Sequence, residues 1–585
     1  MLKEGLRARG PWCRPVFSRG LTLNERIPTH KTLLTLLSVA AISINACGQN
    51  TFDACFGRED LVLTNGKILT MDAAGRIATA MRVRGDRIMA VDEVGSIADA
   101  CTRVIDLQGR TVIPGLIDSH LHLARQGNAP SYDTRQAERA TTVDELLAVL
   151  QARAGSVPET SFITVIGGIE LEQLRENRMA SLAELDRALP SHAVYIQQGF
   201  MGPAWTNSKG KTFFEAHSVS VNDDGMFAPG DDTNAAFVAI SAQQTFEDRV
   251  RGTRELMGFA NSLGLTMAVD QGGTPFPGAS FFDVKEDYLA IVELWRRGDM
   301  PLRVRIQHTA SDRSPDRGVF EEKIENTYPL FGDDMLRFTG TGEHIVTFPI
   351  EGKVNPAYGA KVERAAMLGW SHEQHSVSNA ENVQHLAMIE AANAEYSIED
   401  LRWSLTHVFE LGISGTENLI ETIKSMNMGL RVQAQAYSLP TDRFPLGRTL
   451  GGENSGPLYR TLLDIGVHLG AGTDGALLGP MNPWFSLYYM VTGKDNMGRL
   501  VNPGQALTRE EALALYTVNN AWFSFDEDAL GSIEVGKLAD LAVLSDDYLE
   551  VPEEEILGLR SVLTIVGGEI VYVGEGFLGL APDND

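Results

Sequence analysis

The sequence predicts an α/β protein: a (β/α)8 TIM-like barrel with a large insertion after its first strand, joined to a small β-sandwich formed from both terminal regions. Three observations lead there. Short apolar runs recur through the long middle of the chain, with helix-period segments between them. Turn-punctuated, strand-like stretches crowd residues 60–113 and return after residue 539. Histidines fall repeatedly at the ends of the apolar runs, where barrels of this type keep their chemistry.

Residues 1–47 read as an export segment. Basic residues are scattered up to Lys31, the apolar stretch TLLTLLSVAAISI (32–44) follows, and then NAC. That stretch is shorter than the roughly 20 residues of a membrane span. INAC resembles a bacterial lipoprotein cleavage box, which implies a lipid anchor at Cys47, although Asn45 departs from its usual small residue. A plain signal cut nearby and an unprocessed anchor are the alternatives. The expectation is an exported protein, either periplasmic, held to a membrane as a lipoprotein, or extracellular. With Cys13 removed and Cys47 lipidated, Cys55 and Cys101 remain, either paired in an oxidising compartment or both free.

The first part of the sandwich is expected over 58–114, in DLVLTNGKILTMD, ATAMRVRGDRIMAV and TRVIDLQGRTVIP, with hairpin-type turns at Asn65-Gly66 and Gly85-Asp86. Its second part, 521–585, contains ADLAVLSDD (539–547) and SVLTIVGGEIVYVG (561–574). Between them, 115–520 holds eight candidate barrel strands: TVIPGLIDSHLH, LTMAVD (265–270), LRVRIQH (302–308), RFTGTGEHIV (337–346), the run at 369–375, RWSLTH (402–407), LRVQAQA (430–436) and VHLGAGTD (467–474). TENLIETIKSMN (416–427) shows the helical spacing expected of a crossover. The gap from His122 to Leu265 is too long for one crossover, so an inserted subdomain is expected at about 125–260, with FITVIGGI and HAVYIQQG as its strands.

The chain has 77 acidic and 50 basic residues and a formal charge of −27. A surface that negative repels nucleic acid and anionic lipid, so neither is an expected partner. It says little about the active site, because a bound cation inverts the local field. The acidic VPEEE (551–555) reads as a solvated turn or helix start.

The stretch VIPGLIDSHLHL (112–123) carries the sharpest signal. Strand side chains alternate between faces, so His120 and His122 point the same way and are either packing oddities or a pair of ligands. His308, His375 and His407 also end apolar runs, and Asp474 ends the last one within AGTDGA.

PGLIDSHLHL resembles the first-strand signature of the metal-dependent amidohydrolase superfamily. NGKILTMDAAGRIA and GSIEVGKLADLAVL (531–544) resemble the strands of the small β-domain in those enzymes. The order of landmarks is most similar to amidohydrolase family 3, the group that includes N-substituted formamide deformylase. The resemblance implies that His120 and His122 are paired metal ligands. It places His375, in GWSHEQHSVSNAEN, and His407, in LRWSLTHVFEL, at the fifth- and sixth-strand ligand positions. Asp474, in LLDIGVHLGAGTDGALLGPMNPW, takes the place of the catalytic, metal-facing aspartate. Two departures stand out. Many relatives carry a carboxylated, bridging lysine on strand four, whereas this chain has GTGEHIV, with Glu343 as the natural substitute. The competing readings are a Glu343 salt bridge or an inward-facing His344, and regular strand geometry admits only one of the two neighbours. In FMGPAWTNSKG, Gly202 stands where relatives often have histidine, which implies a changed substrate pocket.

His192, His217, His308, His372, His385 and His468 are read as structural, and Asp270 as structural or supporting the ligands. Trp205, Trp370 and Trp484 are read as packing before pocket lining. The donor set implies one or two divalent ions, zinc foremost, with a position open for water. The implied reaction is cleavage of an amide or related carbonyl C–N bond, in an N-acyl, formamide or carbamate-like compound, by hydroxide generated at the metal. Asp474 would act as general base and then as general acid, and His407 as ligand or oxyanion stabiliser. The inserted region would shape one pocket wall. An isomerase or decarboxylase on the same scaffold, and a non-catalytic binding protein, are the alternatives. The oligomeric state, a homodimer included, is left open.

Overall fold

A computed structural model describes residues 60–97, 101–199, 202–272, 285–310, 318–438, 456–475 and 479–580. The expected export segment, Cys47 and Cys55 lie outside these residues. Cys101 is disulfide-bonded.

Eight strands pair in parallel, in chain order, along one sheet: β1 (Leu116–Leu121), β2 (Leu265–Asp270), β3 (Arg303–His308), β4 (Leu336–Thr341), β5 (Ser371–Ser376), β6 (Ser404–His407), β7 (Gly429–Gln433) and β8 (His468–Gly472). Most of their residues are buried, as expected for a parallel sheet covered on one side by helices and filled on the other by its own side chains. The ends of the path, β8 and β1, meet just past the strands. The Asp474 N–H donates to the His120 carbonyl at 2.8 Å, and the His122 N–H donates to the Gly475 carbonyl at 2.9 Å. The Asp118 carboxylate accepts from the Thr473 hydroxyl across the same seam at 2.6 Å.

Several expected strands are shorter than the sequence suggests, and two of the differences shape the site. TVIPGLIDSHLH is two strands belonging to different sheets. Thr111–Pro114 pairs with Leu541–Leu544 and Lys67–Leu69 in the sandwich, while β1 enters the barrel. Gly115 marks the switch, because a Cβ there would lie 2.1 Å from the Thr266 hydroxyl oxygen on β2. The fourth strand stops at Thr341 rather than 346. At that end the Gly342 N–H turns to the His308 carbonyl at 2.7 Å, and a side chain at Gly342 would meet the Gln307 carbonyl at 3.0 Å. Glu343 and His344 therefore sit beyond the strand and are free of its alternation.

The sandwich pairs a four-stranded sheet from residues 60–106 with a six-stranded sheet drawn from both terminal regions. The six-stranded sheet runs Glu569–Val573, Ser561–Val566, Leu541–Leu544, Thr111–Pro114, Lys67–Leu69, Ile77–Ala78. Leu61, Leu63, Val83 and Ile105 of one sheet pack against Ile68, Val112, Leu563 and Ile565 of the other. Between β1 and β2 lies a separate five-stranded sheet, whose central strands Phe162–Ile166 and Ala193–Gln197 match the expected pair. At the barrel floor, Arg303 on β3 forms two 2.8 Å hydrogen bonds with Asp540, just before the sandwich strand Leu541–Leu544. This bidentate pair joins barrel to sandwich.

Candidate metal centre

His120, on β1, and His122, one residue past its end, both turn inward, as the strand period requires. Their Nε2 atoms lie 3.5 and 3.1 Å from the same Asp474 oxygen, Oδ1. Asp474 reaches them from beyond β8 with φ at 54°, two residues after Gly472 and directly before Gly475. A Cβ at Gly472 would lie 2.7 Å from the His120 backbone nitrogen, so the close approach of the two strand ends requires glycine there. The His122 Nδ1 faces the Gly272 carbonyl at 2.7 Å, which sets that ring's tautomer. Asp270 holds this corner: its carboxylate accepts the Ala124 N–H at 2.9 Å and the Gly272 N–H at 3.1 Å.

Glu343 occupies the middle. Its Oε2 lies 2.9 Å from His375 Nδ1, 3.5 Å from His407 Nε2 and 3.8 Å from His120 Nε2. Its Oε1 lies 3.4 Å from both His122 Nε2 and His344 Nε2. The structure thus brings His120, His122, Glu343, His375, His407 and Asp474 together. It also corrects one expectation: Glu343 and His344 both face the cluster, because the strand ends before them. Three donor groups, each spanning no more than 4.8 Å, share these residues: His120, His122 and Asp474; Glu343, His344 and His375; and His120, Glu343 and His407.

The backbone is strained here. His407 has φ 69° and Val408 has φ 38°, the latter rare for a β-branched residue. Such conformations cost of order 1–3 kcal/mol each and persist where the surroundings impose them. The electrostatics are sharp as well. Burial opposes ionisation of Asp474, yet His120 and His122 beside it hold its carboxyl below the ordinary range. Burial likewise opposes ionisation of Glu343, and His344, His375 and His407 more than offset it. Burial pushes His344 down to about 4 against the pull of Glu343.

The residues fit a divalent cation. The His120 Nε2 is buried and, among the described residues, has no hydrogen-bond partner, although it lies 3.5 Å from Asp474 Oδ1 and 3.8 Å from Glu343 Oε2. A buried imidazole nitrogen left without a partner beside two carboxylates is costly unless a cation takes the lone pair.

Several supporting residues escaped the sequence reading. Glu373 accepts from His120 Nδ1 at 2.5 Å, and Gln435 donates its amide to Asp474 Oδ2. The signal for Glu373 was present, since it lies two residues before His375 and so on the same face of β5. Among the described residues, the other histidines stay outside the three groups. His308 stacks on Phe338, with ring centroids 5.0 Å apart. His372 bonds Thr341 and Tyr358, and His385 bonds Ser376. Trp370 and Trp484 are wholly buried, and their indole N–H groups donate to the Ile324 and Leu263 carbonyls. Gly202 has φ 86°, and a Cβ there would meet Thr233 Cγ2 at 2.4 Å, so a histidine does not fit that backbone.

The model of the amidohydrolase family matches residues 103–572, spanning barrel, insertion and most of the sandwich. The chain belongs to the amidohydrolase family. Membership makes it a metal-dependent hydrolase by class. Among relatives, N-substituted formamide deformylase of Arthrobacter pascens is 26% identical over 568 residues, covering 88% of this chain and 99% of that protein. Protein LONG AFTER FAR-RED 3 of Arabidopsis thaliana is 24% identical, with 88% and 91% covered. Among solved structures, an uncharacterised metal-dependent hydrolase from Pyrococcus horikoshii OT3 superposes with a TM-score of 0.57 at 19% identity, covering 85% of this chain and 99% of that one. Atrazine chlorohydrolase TrzN from Arthrobacter aurescens TC1, complexed with zinc, superposes with a TM-score of 0.52 at 16% identity, with 89% and 97% covered. At these identities the two structures speak for the fold of this amidohydrolase.

Proposed function

We propose that this amidohydrolase cleaves an amide or related carbonyl C–N bond in a small N-acyl, formamide or carbamate-like compound. The observation that carries the reading is the buried ring of imidazoles closed around Glu343 and Asp474, with Asp474 Oδ1 between the two Nε2 atoms of His120 and His122. The name of the formamide deformylase relative supports the same bond type.

His120, His122, Glu343, His375, His407 and Asp474 would hold the cation, zinc being the best match to nitrogen and carboxylate donors, with His344 alongside. When bound, such an ion polarises a carbonyl as a Lewis acid and lowers the pKa of water. The protein's own groups do the rest. Asp474 is held ionised and so is ready to accept a proton from the attacking water and pass it to the departing nitrogen. Gln435 grips the second Asp474 oxygen and fixes the direction in which the first one points. Glu343 replaces the lysine of many relatives without modification, its two oxygens facing different histidines. The substrate is a small molecule, and the surface charge of −27 disfavours polyanions. The same reading takes the chain to be exported, with a lipid at Cys47.

Turnover of a panel of N-formyl, N-acyl and carbamate compounds in 18O-labelled water tests the reading. Hydrolysis places one solvent oxygen in the acid product. Product without the label would support the isomerase or decarboxylase alternative instead.

A further inference from the structure

The floor beneath the metal centre holds a buried carboxylate that no step above uses. Glu373 lies on β5 with its side chain fully buried. Its Oε1 is the 2.5 Å partner of His120 Nδ1. Its Oε2 is held from two other places, by the amide of Gln271, one residue past β2, at 2.7 Å and by the guanidinium of Arg431 on β7. Both of these are anchored in turn. Gln271 also donates to Gln307 Oε1 at 2.9 Å, and Arg431 donates to the Ser119 carbonyl at 3.1 Å and to Gln307 Oε1 at 3.3 Å. One carboxylate oxygen is thus pinned, and the other is presented to a single imidazole.

The consequence runs through the tautomer. An ionised carboxylate is an acceptor only, so the shared proton stays on Nδ1 and the Nε2 lone pair of His120 turns to the opposite side. That atom is the buried, unpartnered nitrogen facing Asp474 and Glu343. The nearby Thr406 hydroxyl lies farther from Nδ1, at 3.3 Å, and bonds the Arg431 carbonyl at 3.0 Å, so it does not displace Glu373. His122 has only a neutral backbone carbonyl in the corresponding place. The two histidines of one strand are therefore supported unequally, His120 being the more basic donor.

We propose that Glu373, braced by Arg431 and Gln271, is a positioning residue that fixes the tautomer and raises the basicity of His120, and so sets the cation affinity of the centre. The inference rests on the metal-dependent reading of the site. It predicts more than a buried ion pair that merely fills the barrel, because such a pair would act on stability alone.

The test uses the purified full chain, stripped of metal and titrated with zinc against a chromophoric chelator, with apo-protein unfolding measured in parallel. Glu373→Gln keeps the size and an acceptor oxygen but removes the charge. The expected result is a 10- to 100-fold weaker zinc affinity, the usual range for losing such a partner. Because that change leaves Arg431 buried beside a neutral group, the double variant Glu373→Gln/Arg431→Gln is measured as well, and the same loss is expected. Unchanged zinc affinity in either folded variant, with only apo stability reduced, would overturn the proposal. Failure of the unsubstituted chain to bind zinc or another divalent ion would instead remove the metal reading itself, and this inference with it.

Discussion

Asp474 combines three unusual conditions: a left-handed backbone, full burial and two imidazole partners on one oxygen. Replacing it with asparagine keeps the shape and an oxygen donor but removes the base. Asp474→Asn should lower kcat/KM by about 10²- to 10⁴-fold, the range for losing a general base, while the folded protein still binds a cation. Steady-state kinetics beside metal analysis checks this, and intact turnover would remove Asp474 from the proton path. His344 poses a different question, since its Nε2 reaches Glu343 although sequence geometry allowed only one of the two residues inside. His344→Ala should reduce the cation content that survives dialysis. Unchanged content would leave His344 as a buried neighbour of Glu343 rather than a ligand.

At the scale of elements, the site depends on where strands stop. β4 ends at Thr341, and the loop beyond it delivers two adjacent side chains to one place, which a strand cannot do. β1 and β8 close the ring through backbone bonds made by His120, His122, Asp474 and Gly475, so the ligands themselves form the seam. The opposite end of the barrel is tied by Arg303 and Asp540, both almost fully buried. Removing one partner of such a pair leaves an uncompensated buried charge, at a cost of about 3–5 kcal/mol. Asp540→Ala should therefore shift the urea midpoint strongly downward. A shift within experimental error would mean that the sandwich and barrel are joined by their apolar contacts alone.

Across the whole molecule, burial makes several histidines refuse protons. His308, His372 and His385 are each pushed down to about 3 by loss of solvent, far below the ordinary value of 6.5. Below pH 6.5 the unfolded chain binds protons that the folded chain does not, so stability falls as pH drops from about 6.5 toward 3. For His308 alone the loss between pH 7 and 5 should be about 2 kcal/mol. His308→Phe keeps the stacking on Phe338 and removes the titration, so urea unfolding at the two pH values should show a correspondingly smaller loss. An identical loss in the variant would mean that His308 is solvated in solution.

Much of this architecture was legible in the chain. Apolar runs at barrel spacing, the Gly85-Asp86 hairpin turn and the ordered histidines are local signals, and each survives folding because it follows from backbone geometry and side-chain period. Asn65-Gly66 reads as a hairpin turn as well, but it carries the chain from Asp60–Thr64 in one sheet to Lys67–Leu69 in the other, because those two strands pair with different partners. The sequence by itself determined the fold class, the family resemblance and six of the residues that converge at the centre, Glu343 among them. Tertiary structure alone decided three things. Gly115 divides one apolar run between two sheets, because Thr266 occupies the space of a side chain there. Strand β4 stops early enough for His344 to join Glu343. Glu373 finds His120 across 253 positions of sequence. Each depends on which residue of one strand lies opposite which residue of another, and that register is set by packing of the closed barrel rather than by any local run of residues.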